Sequence, residues 1–266
     1  MVARMIIDGD LFLMDTRKER FTQMVGSHYN EIPFKVLTDI GDFYYLDYDR
    51  RTKNMVNMAD GRFPGDFMPV HFPADLIKNG YLEASPDAAR YNAASFREEW
   101  GTLAIDKSIF DRLAGILPVI DIAGDSYTVD LNRRQLLGNE GDSVISLAGG
   151  NPHDMINRFF YDTEQKRQVN LDLRSISAMP ENVVLVEVPH MVRLDPIGAA
   201  RVYGLPDTKL LLKSPIEQNL KAGIIRLSET TLPELIRRNQ LSMEGRSGPA
   251  ETKRLELGSR RIISHG

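Results

Sequence analysis

The sequence contains no cysteine, which excludes disulfides and thiolate metal sites and fits a reducing compartment. It has no uninterrupted apolar run approaching the roughly 18–20 residues of a membrane-spanning helix. Near the start, Asp8, Asp10 and Asp15 break the apolar stretch, so it reads as strands rather than as a secretion signal. Nor is there an excess of one charge. Against 33 Lys and Arg stand 37 Asp and Glu, a net charge of −4, so no overall field draws nucleic acid or an anionic membrane.

Chemistry-bearing motifs are missing as well. No G-x-S-x-G, Walker A or G-x-G-x-x-G pattern occurs, and Gly149-Gly150-Asn151-Pro152 is a turn signal without the lysine of a phosphate loop. The histidines (His28, His71, His153, His190, His265) show no H-x-x-x-H or H-E-x-x-H spacing. No cofactor or metal is therefore expected, and the cytoplasm is the expected location.

What the 266 residues do contain is 42% hydrophobic side chain, enough for one large core or two ordinary ones. They also contain an internal repeat. Gly9-Asp10-Leu11-Phe12-Leu13-Met14-Asp15-Thr16-Arg17-Lys18 and Gly124-Asp125-Ser126-Tyr127-Thr128-Val129-Asp130-Leu131-Asn132-Arg133 share the pattern G-D-x-aromatic-x-apolar-D-x-x-basic, 115 positions apart. Tyr48, Asp49, Lys53, Val56 and Asn57 coincide with Tyr161, Asp162, Lys166, Val169 and Asn170 at a spacing of 113. The segment Pro64 to Pro73 matches Pro180 to Pro189 at 116. A competing match of Gly41–Arg51 to Gly124–Arg134, 83 apart, covers a single hairpin and leaves the rest unpaired.

The expected fold is thus α+β: a tandem duplication of a β-hairpin-rich unit, with helical connectors and a C-terminal helical extension. Glycine at the hairpin turns supplies positive φ, and the flanking apolar alternation marks strands. The expected boundaries are repeat 1 over 1–83, a helical connector over 84–116, repeat 2 with a short helix over 117–206, a helical extension over 207–241 and a flexible tail over 242–266. Ser85-Pro86 opens a helix reaching about Trp100, and another runs from Lys107 to Ala114. Asp195, Pro196 and Gly204 bracket a short helix as N-cap, first-turn proline and C-terminal glycine, with Pro73 to Gly80 as its degenerate counterpart. Ser214-Pro215-Ile216-Glu217 and Thr231-Leu232-Pro233-Glu234 fit capping boxes for helices over about 215–222 and 232–241.

The order Asp125-x-Tyr127-x-Val129-Asp130, Tyr161-Asp162, Leu185-Val186-Glu187-Val188-Pro189 and Leu194-Asp195-Pro196-Ile197-Gly198-Ala199-Ala200-Arg201-Val202-Tyr203-Gly204 resembles a group of uncharacterised bacterial proteins over about residues 118–206. The resemblance implies a bacterial origin and brings no catalytic residues with it.

Asp15 and Asp130 are the repeated acids that a twofold active site would pair. An aspartic-protease turn requires glycine two positions later, and Arg17 and Asn132 stand there instead. Ile6-Ile7-Asp8-Gly9-Asp10 resembles the strand-end D-x-D of haloacid-dehalogenase-like phosphatases, but that family needs a parallel α/β sheet where this sequence offers hairpins. The arginine pairs Arg50-Arg51 and Arg133-Arg134, expected at equivalent places in the two units, and Arg260-Arg261 in the tail are the candidate interaction residues. The reading that follows is a non-enzymatic adaptor or structural component that binds another macromolecule, with a protein as the expected partner, through its duplicated β-rich repeats. A nucleic-acid-binding or -processing protein, using those arginines on phosphates, is the alternative.

Overall fold

In the computed structural model, which describes residues 1–25, 28–57, 65–138, 143–147 and 156–246, the chain opens as an antiparallel meander. Strands β1 (Val2–Ile7), β2 (Asp10–Asp15), β3 (Arg20–Val25) and β4 (His28–Pro33) follow one another. A second sheet, formed by β5 (Thr38–Asp39), β6 (Phe43–Asp49), β7 (Asn54–Met55) and β8 (Phe67–Pro73), ends in helix α1 (Ala74–Asn79). Met5, Phe12, Phe21, Tyr48 and Phe72 are buried together in the core of this half.

The linking segment carries α2 (Pro86–Glu98), β9 (Thr102–Ala104) and α3 (Lys107–Leu113). The second half then runs through a meander of β10 (Val119–Ile122), β11 (Asp125–Asp130), β12 (Gln135–Gly138) and β13 (Val144–Ser146). Its second sheet has β14 (Ile156–Asp162), β15 (Arg167–Val169) and β16 (Val183–Pro189), followed by α4 (Met191–Leu194) and α5 (Pro196–Val202). Last come β17 (Leu220–Lys221), β18 (Gly223–Arg226) and α6 (Leu232–Arg246). The fold is α+β, and among the described residues no helix is long and apolar enough to cross a membrane.

Strand order and register recur between the halves. Ile7 pairs with Asp10 as Ile122 pairs with Asp125, and Asp15 with Arg20 as Asp130 with Gln135. Phe43–Pro73 and Asp49–Phe67 correspond to Ile156–Pro189 and Asp162–Val183. The turns recur too. Asp8 and Gly9 have φ of 47° and 83°, Ala123 and Gly124 of 55° and 94°. Positive φ at both central residues is the two-residue hairpin geometry whose twist matches the strands, and glycine supplies it without strain.

Several sequence expectations need correction. The connector over 84–116 is not wholly helical, because Thr102, Leu103 and Ala104 are fully buried as β9 against the outer edge of β1. The helix expected over 215–222 does not form. Leu220–Lys221 runs parallel to β10 and covers the matching edge in the second half, while Glu217 pairs with Arg193 instead of returning to a capping box. The extension over 207–241 is accordingly mixed, since β18 adds to β16 before α6 begins. An exposed strand edge presents unpaired amides and carbonyls, and covering it outweighs local helix signals. Helix α6 continues past 241 to Arg246, and the tail over 247–266 lies outside the described residues.

The helices α2, α3 and α5 form where their caps indicate. Ser85 accepts from the Ala88 amide, Asp106 from that of Ile109 and Asp195 from that of Gly198. An apolar seam of Ile6, Leu103, Ile105, Ile109, Ile197 and Leu211 joins the halves. Across it Arg112 of α3 grips Asp195 through Nε and Nη2 at 2.8–3.0 Å, with the two side chains only 5% and 1% exposed.

Candidate functional site

The G-D-x-aromatic pattern has a structural meaning that appears only in three dimensions. In the first half Lys53 Nζ donates to Asp10 Oδ1 at 2.6 Å, and Tyr48 donates its hydroxyl to Asp10 Oδ2 at 3.3 Å. In the second, Lys166 Nζ lies 2.8 Å from Asp125 Oδ1, and the Tyr161 hydroxyl donates to Asp125 Oδ2 at 3.3 Å. The aromatic two positions after each aspartate meets the same tyrosine edge-on: Phe12 with Tyr48 at 6.3 Å and 78°, Tyr127 with Tyr161 at 6.3 Å and 80°. Burial, and then the charge of Asp10, pushes the Tyr48 hydroxyl well above the ordinary phenol range, so it remains a protonated donor. Both lysines stand in the left-handed region, with φ of 55° and 50°, at the end of turns whose first amides bind Asp49 and Asp162. Asn30 and Ser143, at equivalent places, donate to the Lys53 and Lys166 carbonyls. These constellations tie the two sheets of each half together.

The halves differ one step further along the meander. The β11–β12 ladder extends to Tyr127–Gly138, whereas the β2–β3 ladder stops at Leu13–Thr22, one pair short. Gln23 occupies the place of Gly138. A cleft of about 590 Å³ lies where β2 and β3 part, completed from the second half by Pro206, Asp207 and Thr208. Its walls are largely aliphatic, from Leu11, Leu13, Leu113 and Pro206. Its polar lining includes Gln23, Lys53, Asp10 and Arg4, with Tyr29, 68% exposed, at the rim. Gln23 is buried, and its Oε1 has no hydrogen-bond partner among the described residues. Concave junctions with a few convergent polar groups are where small ligands bind.

The charges in the cleft are spoken for. Arg4 forks onto Glu83 with contacts of 2.6–3.1 Å, Asp207 pairs with Arg201 at 2.7 Å, and Lys53 holds Asp10. Desolvation works against ionisation of Glu83, but the Arg4 guanidinium and backbone amide outweigh it and hold the carboxyl below its ordinary 4.5. A depressed folded value means that this stabilisation is present above pH 4.5 and is lost as pH falls through the folded value. Wild type should therefore exceed Glu83→Gln in stability by less than about 1 kcal/mol near neutrality, solvent screening included, and lose that margin as pH falls below 4.5 and through the folded value. Urea melts of both proteins across that range check this.

The repeated acids Asp15 and Asp130 do not form a dyad. Asp15 Oδ1 accepts from the amides of Arg17 and Lys18, and Asp130 Oδ1 from that of Arg133, each within its own turn. Partial desolvation opposes ionisation of Asp15, and those two amides overcome it, lowering the carboxyl instead of raising one as a dyad requires. The arginine pairs are not at equivalent places. Arg50-Arg51 lies on the turn between β6 and β7, and Arg133-Arg134 on the one between β11 and β12. Their sequence likeness came from the single-hairpin register, which the pairing of strands does not follow. Arg50 is bound to Asp8 and Asp66 at 3.1 and 3.2 Å, and Arg133 lies 3.7 Å from Asp130. Arg260 and Arg261 lie outside the described residues, as does Gly149–Pro152. His190 accepts the Val192 amide on Nδ1 at the start of α4. No cluster of three or more metal-ligating side chains occurs among the described residues. Comparison of the chain with models of known protein families, with curated proteins and with solved structures finds no match.

Proposed function

We propose that this chain is a cytoplasmic, non-enzymatic binding protein, built by duplication of one two-sheet unit, that serves as an adaptor for another protein. The recurrence of strand register and of the Asp–Lys–Tyr constellation supports the duplication. One observation carries the adaptor reading: the outer face of the first meander presents an apolar diagonal. Val2 is 59% exposed, Leu13 49% and Tyr29 68%. Register makes Val2 and Leu13 diagonal neighbours, since Leu13 stands opposite Arg4, two residues from Val2 along β1, and on its other side opposite Thr22, with Tyr29 one strand further on. Tyr29 lies two residues from Glu31, the partner of Thr22. Same-face diagonal neighbours such as Val2 and Leu13 lie within reach of each other, and Tyr29 extends the apolar surface across β3. Aromatic and aliphatic anchors on an otherwise polar surface are what interface hot spots are made of. In the second half Thr128 stands where the first has Leu13, and among the described residues the exposed apolar side chains of that face are instead Val119 and Val144, each 48% exposed. The nucleic-acid reading is less well supported, because Arg50 and Arg133 already lie beside aspartates.

The test is affinity capture with the full chain, followed by binding measurements with the purified partner. Leu13→Asp with Tyr29→Asp should weaken that complex at least about tenfold while leaving the melting temperature within about 2 °C, as expected for surface positions. Equal binding by both proteins would sink the reading. A low-salt gel shift that disappears with rising salt and with Arg50→Ala would favour the nucleic-acid alternative.

A further inference from the structure

We infer that the cleft between β2 and β3 is a binding site for an uncharged nucleobase-type heterocycle, one that presents a hydrogen-bond donor beside an acceptor, free or as its nucleoside. The first support is Gln23. It is 8% exposed, it lines the cleft, and its Oε1 has no partner among the described residues. A buried amide left in this state is costly, and native proteins retain one mainly where something else completes it. Oε1 itself is closed off from solvent, and since the terminal torsion of glutamine is soft, a bound molecule completes its hydrogen bond by the amide turning toward the cleft. A glutamine amide offers one acceptor and one donor side by side, whichever way it is turned. Its complement is a ring edge with an N–H next to an unprotonated nitrogen or a carbonyl, the pattern by which glutamine reads adenine.

The second support is shape. The walls are aliphatic, the ring of Tyr29 stands exposed at the rim as a stacking face, and about 590 Å³ is ample for a nucleoside. Charge decides against recognition of a phosphate. Arg4, Lys53, Asp10 and Asp207 cancel in sign, and each sits in an ion pair, so neither cation of the lining is free to hold a phosphate. Among the described residues of the second half nothing equivalent exists, since Gly138 replaces Gln23 and the ladder closes over the spot. The site therefore belongs to what the two halves do not share, and it does not depend on the adaptor reading.

The experiment is an NMR titration of the full chain with adenosine, beside purine riboside, which keeps the ring and lacks the exocyclic amine. Adenosine should bind with a dissociation constant below about 1 mM, and purine riboside about tenfold more weakly. Adenosine monophosphate should bind within about threefold of adenosine, since no unpaired cation of the lining meets its phosphate. Gln23→Leu should lose at least about tenfold in adenosine affinity while melting no lower than wild type, because it removes an unpartnered amide from the interior. Tyr29→Ala, at an exposed position, should lose about fivefold or more through stacking alone. The inference is overturned if adenosine produces no saturable shifts up to about 5 mM. It is equally overturned if Gln23→Leu binds adenosine as wild type does, or if the monophosphate binds more than about tenfold tighter. Failure here leaves capture of a protein partner untouched, and loss of that partner by Leu13→Asp with Tyr29→Asp says nothing about Gln23→Leu.

Discussion

Replacing Arg112 with alanine should destabilise the protein by about 3–5 kcal/mol, the cost of stranding a buried carboxylate. Asp195 is 1% exposed and receives three guanidinium contacts of 2.8–3.0 Å, with the Gly198 amide as a fourth at 2.9 Å. Without Arg112 the carboxylate keeps only that amide in a place water does not reach. The penalty is specific to breaking the pair. Exchanging both partners together, Arg112→Met with Asp195→Leu, should recover much of the loss, offset by about 1 kcal/mol for the lost N-cap of α5. Urea denaturation of the two single variants and the double variant checks this. The urea dependence itself is informative, because the pair sits on the seam between the halves. If that seam makes the chain one cooperative unit, wild type melts in one transition and Arg112→Ala separates it into two. Single-step melting of Arg112→Ala with a loss under about 1 kcal/mol would mean that the apolar seam suffices without the clamp.

The hairpins were legible because their signals are local. Asp8-Gly9 and Ala123-Gly124 sit between alternating strands, and a turn of two positive-φ residues depends on little beyond those positions. Helix α5 was equally legible, since Asp195, Pro196 and Gly204 mark its ends without help from tertiary contacts. The strands β9, β17 and β18 were not. They contain two to four residues each, too few to show a period, and what makes them strands is the edge beside them. Ser214-Pro215-Ile216-Glu217 shows the same limit from the other side, for its helix signal is worth about 1 kcal/mol and covering the edge of β10 is worth more.

Part of the candidate site was visible in the sequence without being understood. Asp10 and Asp125 stood in one repeated block and Lys53 and Lys166 in another, but each aspartate is some 40 residues from its lysine, and no local rule joins them. The retention of an acid and a base in both halves was the available signal. The cleft left none. Gln23 is an unremarkable residue in a strand until its counterpart Gly138 is seen to continue a ladder that β2 and β3 abandon. What the halves share holds two sheets together, and what separates them opens a space between two strands.

The shared constellation can be tested by the same substitution at two places with different burial. Lys53→Met should cost about 2–4 kcal/mol, because Asp10 is 4% exposed and keeps only the long 3.3 Å bond from Tyr48. That is somewhat less than breaking the Arg112 pair, since Lys53 itself is 34% exposed and partly screened. At the equivalent position the Asp125 side chain is 25% exposed and Lys166 54%, so water can take over and Lys166→Met should cost below about 1 kcal/mol. Chemical denaturation of the two variants compares the same substitution at equivalent fold positions, which differ in burial and in the hydroxyl of Tyr127, bonded to Tyr161, where the first half has Phe12. Adding Asp10→Asn to Lys53→Met should return part of the lost stability, because a neutral amide leaves no charge without its counterion. Equal and small losses at both positions would show that Asp10 finds water or another donor once the lysine is gone. The constellation would then be a mark of common architecture in the two halves and not a source of their stability.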